Sequence, residues 1–172
     1  MQFHEILRFD DPDRIFREGG AFEALQAAKK AGKLRFIGFT GHKDPRIHLY
    51  MLEVAQKHGF TFDAVLMPSN LMDAHFRSFA QLFMPELVKL KIGVQTMNPS
   101  AEAMRLFSKA GTIQNPIDCL HYALNLAADV VITGIDKPEI LDQAFQAAKT
   151  FKPLKDQQFA ALLAKTEQVA NG

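Results

Sequence analysis

Residues 33–59, KLRFIGFTGHKDPRIHLYMLEVAQKHG, hold one complete structural unit. Leu34 to Phe39 is a short β-rich run with apolar residues on both faces, the pattern of a strand covered by helices on both sides. Gly38-Phe39-Thr40-Gly41-His42 closes the run, and two glycines at that spacing allow close backbone approach to a ligand. The third glycine of a dinucleotide fingerprint is missing. Asp44-Pro45 then sets a capping acceptor ahead of a first-turn proline. Ile47, Tyr50, Met51, Val54 and Ala55 form one apolar stripe at helical spacing, and Gly59 ends the helix as a C-terminal cap glycine does. The stretch reads as strand, loop and return helix.

The unit repeats along the chain. Apolar runs at Gln2 to Leu7, Leu34 to Phe39, Ala64 to Met67, Ile92 to Met97 and Val130 to Ile135 start about 30 residues apart, the length of one strand plus a crossover helix. Asn115-Pro116 repeats the cap-and-proline device ahead of Ile117, Leu120 and Leu124. Asp136 with Glu139 three positions on predicts a capping box opening a helix to about Thr150. A last helix is expected from near Asp156, with Phe159, Leu162, Leu163 and Thr166 on its apolar side. Gly32 and Gly111 mark two further helix ends. No linker or low-complexity segment divides residues 1–172, which read as one α/β domain with five parallel strands. Such a set fits an open doubly wound sheet or part of a barrel, and in both the functional loops follow the C-terminal ends of the strands.

Composition narrows the function. Of 172 residues, 48% are hydrophobic and 23% charged, a globular mixture. Twenty Lys and Arg against nineteen Asp and Glu give a net charge of +1, which offers no field to attract nucleic acid. The single cysteine, Cys119, builds neither an internal disulfide nor a cysteine metal cluster, and no histidine pair has zinc spacing, so a reducing, cytoplasmic setting and no metal site are expected. No secretory signal or membrane-spanning run is visible. The acidic pair Asp10-Asp11 reads as solvated loop. His48, His58 and His75 fall on helices, on solvent faces or in interhelix packing.

Candidate chemistry lies at the strand ends. His4 sits in the first run, followed by Glu5. The second strand ends in Thr40-Gly41-His42, the third in Pro68-Ser69-Asn70, and the fourth in Met97-Asn98-Pro99-Ser100. The fifth ends in Gly134-Ile135-Asp136-Lys137 at a helix start, where free N–H groups, the helix dipole and a lysine make the best anion site in the chain.

The ordered succession QFHEI, KLRFIGFTGH, FDAVLMPSN, GVQTMNP and VVITGIDKPEILDQAF resembles the C-terminal part of an aldo-keto reductase of the bacterial branch. The resemblance implies an incomplete (β/α)8 barrel, about five parallel βα units from the fourth strand onward plus C-terminal helices. It also implies NADP(H)-dependent reduction of small-molecule aldehydes and ketones by a tetrad of Asp, Tyr, Lys and His. His4 stands at the histidine of that tetrad. Thr40 and Gly41 take the place of the Ser-Asn pair that holds the nicotinamide carboxamide, with Asn70 counted among the cofactor contacts. Gly134, Ile135 and Lys137 match the segment receiving the adenosine phosphate, and Gln143 falls near the adenine-contacting asparagine. The sequence departs from the family at Leu66, where a glutamine is frequent, and at Asn98 to Glu102, where Lys-Pro and a glycine-rich turn belong. The family's Asp, Tyr and Lys lie on the first three units. A truncated barrel, catalytically incomplete alone and prone to self-association through its open edges, is therefore expected. The alternative is a receiver-like regulatory module built on Asp10-Asp11, Thr96 and Lys137, although Asn70 stands where its acceptor aspartate belongs.

Overall fold

The computed structural model describes residues 1–97 and 115–170; the expectations for Asn98 to Glu102 and for Gly111 fall outside them. Five strands form one sheet, β1 (Gln2–Phe3), β2 (Gly38–Thr40), β3 (Ala64–Pro68), β4 (Gly93–Met97) and β5 (Val130–Ile132). All neighbouring pairs are parallel, and the spatial order β1-β2-β3-β4-β5 is the sequence order. That order is singly wound, as in a barrel wall. A doubly wound sheet reverses direction at a switch point, so the receiver-like alternative is excluded.

Except for β3, which extends one residue further to Pro68, the strands are shorter than the apolar runs that announced them. β1 is an edge strand with one neighbour, and its ladder ends at Phe3, two residues before Glu5 turns into the left-handed region at φ 56°. β2 begins only at Gly38, where a Cβ would lie 2.3 Å from the Ala64 carbonyl oxygen.

Between β1 and β2 lie α1 (Asp11–Phe16) and α2 (Ala21–Lys30); α3 (Pro45–Lys57) connects β2 to β3. A 3-10 turn at Asp73–His75, α4 (Phe79–Leu82) and α5 (Met84–Leu90) follow β3. Then α6 (Pro116–Leu124) precedes β5, and α7 (Pro138–Thr150) and α8 (Asp156–Ala170) close the described chain. The caps at Asp44 and Asn115 form as their sequences dictate: Asp44 Oδ1 accepts from Arg46 N at 2.9 Å and Asn115 Oδ1 from Ile117 N at 3.1 Å. Gly32 and Gly59 take φ of 71° and 66° at their helix ends, the conformation glycine adopts without strain.

Two local expectations are corrected. Asp136 does not cap α7: the N-cap is Lys137, with extended backbone and no side-chain hydrogen bond, because Pro138 fixes the first helical position one residue later. Asp11 is not solvated loop but the first residue of α1, where its Oδ2 accepts from Leu7 N at 3.0 Å and Arg8 N at 2.8 Å.

The helices cover one face of the sheet. Phe3, Phe39, Val65, Met67 and Val94 point into them and are buried with Ile47, Met51, Val54 and Ala55 of α3 and Leu87 of α5. Phe16, Phe22, Phe60 and Phe62 continue this core as an edge-to-face cluster. A second cluster forms under α6 and α8, where Tyr122 stacks on Phe159 at 5.1 Å between ring centres. The other face corrects the reading of strands covered on both sides. Gln2, Leu66, Gln95 and Met97 are only half-buried, and Val130 and Ile132 are 48% and 43% exposed. Gln2 Nε2 donates to Gln95 Oε1 at 3.0 Å across this face, which is the concave, interior side of a barrel wall.

Candidate functional site

Strand alternation places His4 on the concave side, just beyond β1, and its side chain is exposed. Thr40, at the end of β2, is buried, and its carbonyl accepts the N–H of Ile6 at 2.8 Å. This bond ties the His4-Glu5 loop to the β2 loop, and Glu5 Oε1 lies 3.8 Å from His42 Nδ1 across the same junction. Gly41 follows in a tight position: a Cβ there would stand 2.6 Å from the Ile6 carbonyl oxygen and 2.7 Å from His48 Cε1. Glycine is required at 41 by internal packing, whatever approaches from outside.

His48, on α3, is what fills that space. It is fully buried against Phe39, Phe79 and Phe83, with ring centres 4.9–5.2 Å apart. Neither ring nitrogen has a hydrogen-bond partner among the described residues. Burial therefore pulls its pKa down to about 4, with nearby backbone of Asp44 and Gly41 opposing the shift only in part. Of the two readings, solvent face or interhelix packing, burial rules out the first for His48, and neither foresaw that the ring supports the Gly41 loop. The signal was its place four residues after the cap Asp44, on the same helical face as Met51 and Leu52.

Asp44 organises the far side of this loop. Besides capping α3, it receives Arg46 Nη2 at 2.7 Å and Arg77 Nη1 at 3.1 Å. The Arg46 hydrogen bonds, with the charge of Arg77 behind them, hold its carboxyl down at about 2 against the cost of burial. Asn70, at the end of β3, accepts the N–H groups of Met72 at 2.9 Å and Asp73 at 3.0 Å through Oδ1. A cavity of about 420 Å³ opens between the ends of β2 and β3, lined in part by His42, Lys43, Asn70 and Arg77. Sequence reasoning missed Lys43 and Arg77, whose segments are separated by the whole of α3 and β3.

The candidates on β5 form a separate group. Gly134, Ile135 and Lys137 are exposed at the C-terminal end of β5, and Gln143 is half-buried in the second turn of α7. Three strand spacings, about 14 Å, separate the ends of β2 and β5 along the sheet. The structure thus brings His4, Thr40, Gly41 and Asn70 together at adjacent strand ends and sets Gly134 to Gln143 apart on the same rim. Among the described residues no three His, Cys, Asp or Glu side chains converge as metal ligands, and no helix is long and apolar enough to cross a membrane.

No family model matches this sequence, and no curated protein matches it. Among solved structures, a thermostable aldo-keto reductase determined with the inhibitor epalrestat matches with a TM-score of 0.58. The match covers 83% of this chain and 53% of that one, at 16% identity. The fold is a partial (β/α)8 barrel, similar to that of this aldo-keto reductase. The chain spans about half the length of that reductase, and at such identity the likeness is one of fold. On an aldo-keto reductase barrel wall, the five strand ends described above form part of one rim, the rim where barrels of this architecture carry their sites.

Proposed function

We propose that residues 1–172 form the histidine-bearing and cofactor-holding portion of an NADP(H)-dependent carbonyl-reducing barrel, from its fourth strand onward. The observation that carries this reading is the meeting of His4, Thr40, Gly41 and Asn70 at adjacent strand ends of a partial aldo-keto reductase barrel. The residues suit a dinucleotide at two places. Thr40 and the Asn70 side chain offer polar groups for a carboxamide. The exposed turn Gly134 to Lys137 leads with an ammonium into the positive end of α7, which favours a phosphate over the nearby charges of Asp136 and Glu139.

Bound NADPH supplies a hydride. The chain's own residues orient the two reactants: Thr40, Gly41 and Asn70 at the nicotinamide end, and Gly134, Ile135, Lys137 and Gln143 at the adenosine end. An N–H of the exposed His4 ring donates to the carbonyl oxygen of a small aldehyde or ketone, where negative charge gathers. The proton has no tyrosine source within these residues. Tyr50 donates to Asp13 at 2.9 Å on the outer helices, and Tyr122 is buried in the second core with its pKa raised by desolvation. Loss of a general acid costs about 10²–10⁴-fold in rate, so the 172-residue chain is expected to bind the cofactor without efficient turnover.

Titration of the chain with NADPH, followed by cofactor fluorescence, tests the binding half. Saturable binding weakened by Lys137→Glu is expected, and no binding would remove the cofactor assignment. NADPH consumption with methylglyoxal tests the catalytic half: turnover well above that of buffer would show that a proton donor is present after all.

A further inference from the structure

We propose that the cavity between the ends of β2 and β3 is a binding site for a small organic anion, a carboxylate or phosphate carrying a planar apolar part. At about 420 Å³ it lies within the roughly 300–1,000 Å³ of small-molecule pockets. Its polar lining consists of donors whose neighbouring acceptors are already engaged. The Asn70 amide is fixed in orientation, since Oδ1 receives two backbone N–H groups and Nδ2 is left as the outward donor. Lys43 is exposed and pairs with no carboxylate among the described residues. Arg77 gives one N–H to Asp44 and keeps its other donors. Asp44 meets both Arg46 and Arg77, so one carboxylate faces two guanidinium groups and a positive charge remains.

Asp44 stands behind the lining, and the one carboxylate among the described residues that line the cavity, Asp73, is engaged by its own turn. It accepts from Ser78 Oγ at 3.0 Å, Phe79 N at 2.8 Å and Ala80 N at 3.1 Å. Glu5 is not among the lining residues and stands 3.8 Å from His42 Nδ1. The apolar wall includes Met72 and Phe76, a residue 70% exposed whose ring has the Arg77 guanidinium over it at 4.9 Å from the centre. Arg77 adopts φ 45°, a conformation costly for a non-glycine residue and one that clusters at ligand clamps. Converging donors, engaged acceptors and an open aromatic edge select an anion with a flat apolar body. Asn70 is shared with the nicotinamide end of the proposed cofactor site, whereas Lys43 and Arg77 belong to this cavity only, so the two assignments are separated by testing without cofactor.

The test titrates the ¹⁵N-labelled 172-residue chain, without cofactor, with benzoate, inorganic phosphate and benzamide as the uncharged counterpart of benzoate. Saturating, salt-sensitive shifts of the Asn70 side-chain amide and of the amides of residues 41–44 and 70–77 are expected with an anion and not with benzamide. The anion that saturates at lower concentration names the group recognised. Asn70→Asp keeps the turn's acceptor but replaces the outward donor by a negative charge, and Lys43→Met removes the ammonium at an exposed position. Each is expected to weaken binding about tenfold or more. Lys43→Met decides alone if Asn70→Asp disturbs the fold. Absence of shifts, equal binding of benzamide, or shifts confined to other parts of the molecule would overturn the proposal.

Discussion

Lowering the pH should unfasten the Gly41 loop through one residue, His48. Its folded-state pKa lies near 4, against 6.5 for the free side chain, because burial among three phenylalanines disfavours the charged ring more than the nearby backbone of Asp44 and Gly41 favours it. Between these values the unfolded chain binds a proton that the folded chain refuses, so stability rises with pH in this window and falls on acidification. The penalty begins as pH drops below about 6.5 and levels off below about 4. At pH 4.5 the linkage amounts to about 2–3 kcal/mol, since each unit is worth about 1.4 kcal/mol. The carboxyl of Asp44 does not interfere, because its own loss of stabilisation falls between its ordinary 3.8 and about 2. His48→Leu removes the titrating group and two unsatisfied nitrogens at similar volume, a change that is neutral or stabilising when both partners are absent. Urea unfolding of the two proteins at pH 7.5, 5.5 and 4.5 should show the wild type losing about 2–3 kcal/mol more than the variant across the range. Parallel loss in both proteins would refute the reasoning, since the acid sensitivity would then lie elsewhere.

Three further outcomes follow from the same coordinates. Gly41→Ala drives a methyl into the Ile6 carbonyl and the His48 ring, and thermal unfolding should reveal a loss of about 1–3 kcal/mol, as overpacking produces; an unchanged midpoint would mean the loop relaxes freely. Cys119 is buried with its thiol pushed up to about 12, so the native chain at pH 8 should resist a thiol reagent that labels the urea-unfolded chain at once. The edges of β1 and β5, unpaired among the described residues, and the apolar concave side at Val130 and Ile132 should drive self-association, visible as a concentration-dependent mass in light scattering; a monodisperse monomer at high concentration would contradict this.

Much of the fold was legible because its signals are local. The caps at Asp44 and Asn115 need only an acceptor and the following backbone, and the glycines at 32 and 59 need only the end of a helix. The apolar runs located every strand, yet not which of two apolar faces the helices would cover. That choice depends on the sheet curving, a property of five strands together. Asp136 looked like a cap because it sits three residues before Glu139, but Pro138 set the helix start by its fixed φ. Asp10 is exposed in a turn, as solvated loop implies, but Asp11 was misread because its partners, the N–H groups of Leu7 and Arg8, identify it only once the chain has turned back.

The sequence by itself determined a parallel α/β chain, its strand positions and most helix starts, since hydrophobic period and capping chemistry act over a few residues. Tertiary structure alone decided the sequential strand order, the burial of His48 under Gly41, and the meeting of Asn70, Lys43 and Arg77 around one cavity. Those features join segments separated by a helix or a strand, and their geometry is set by how the sheet bends and what packs behind it, which no local pattern encodes.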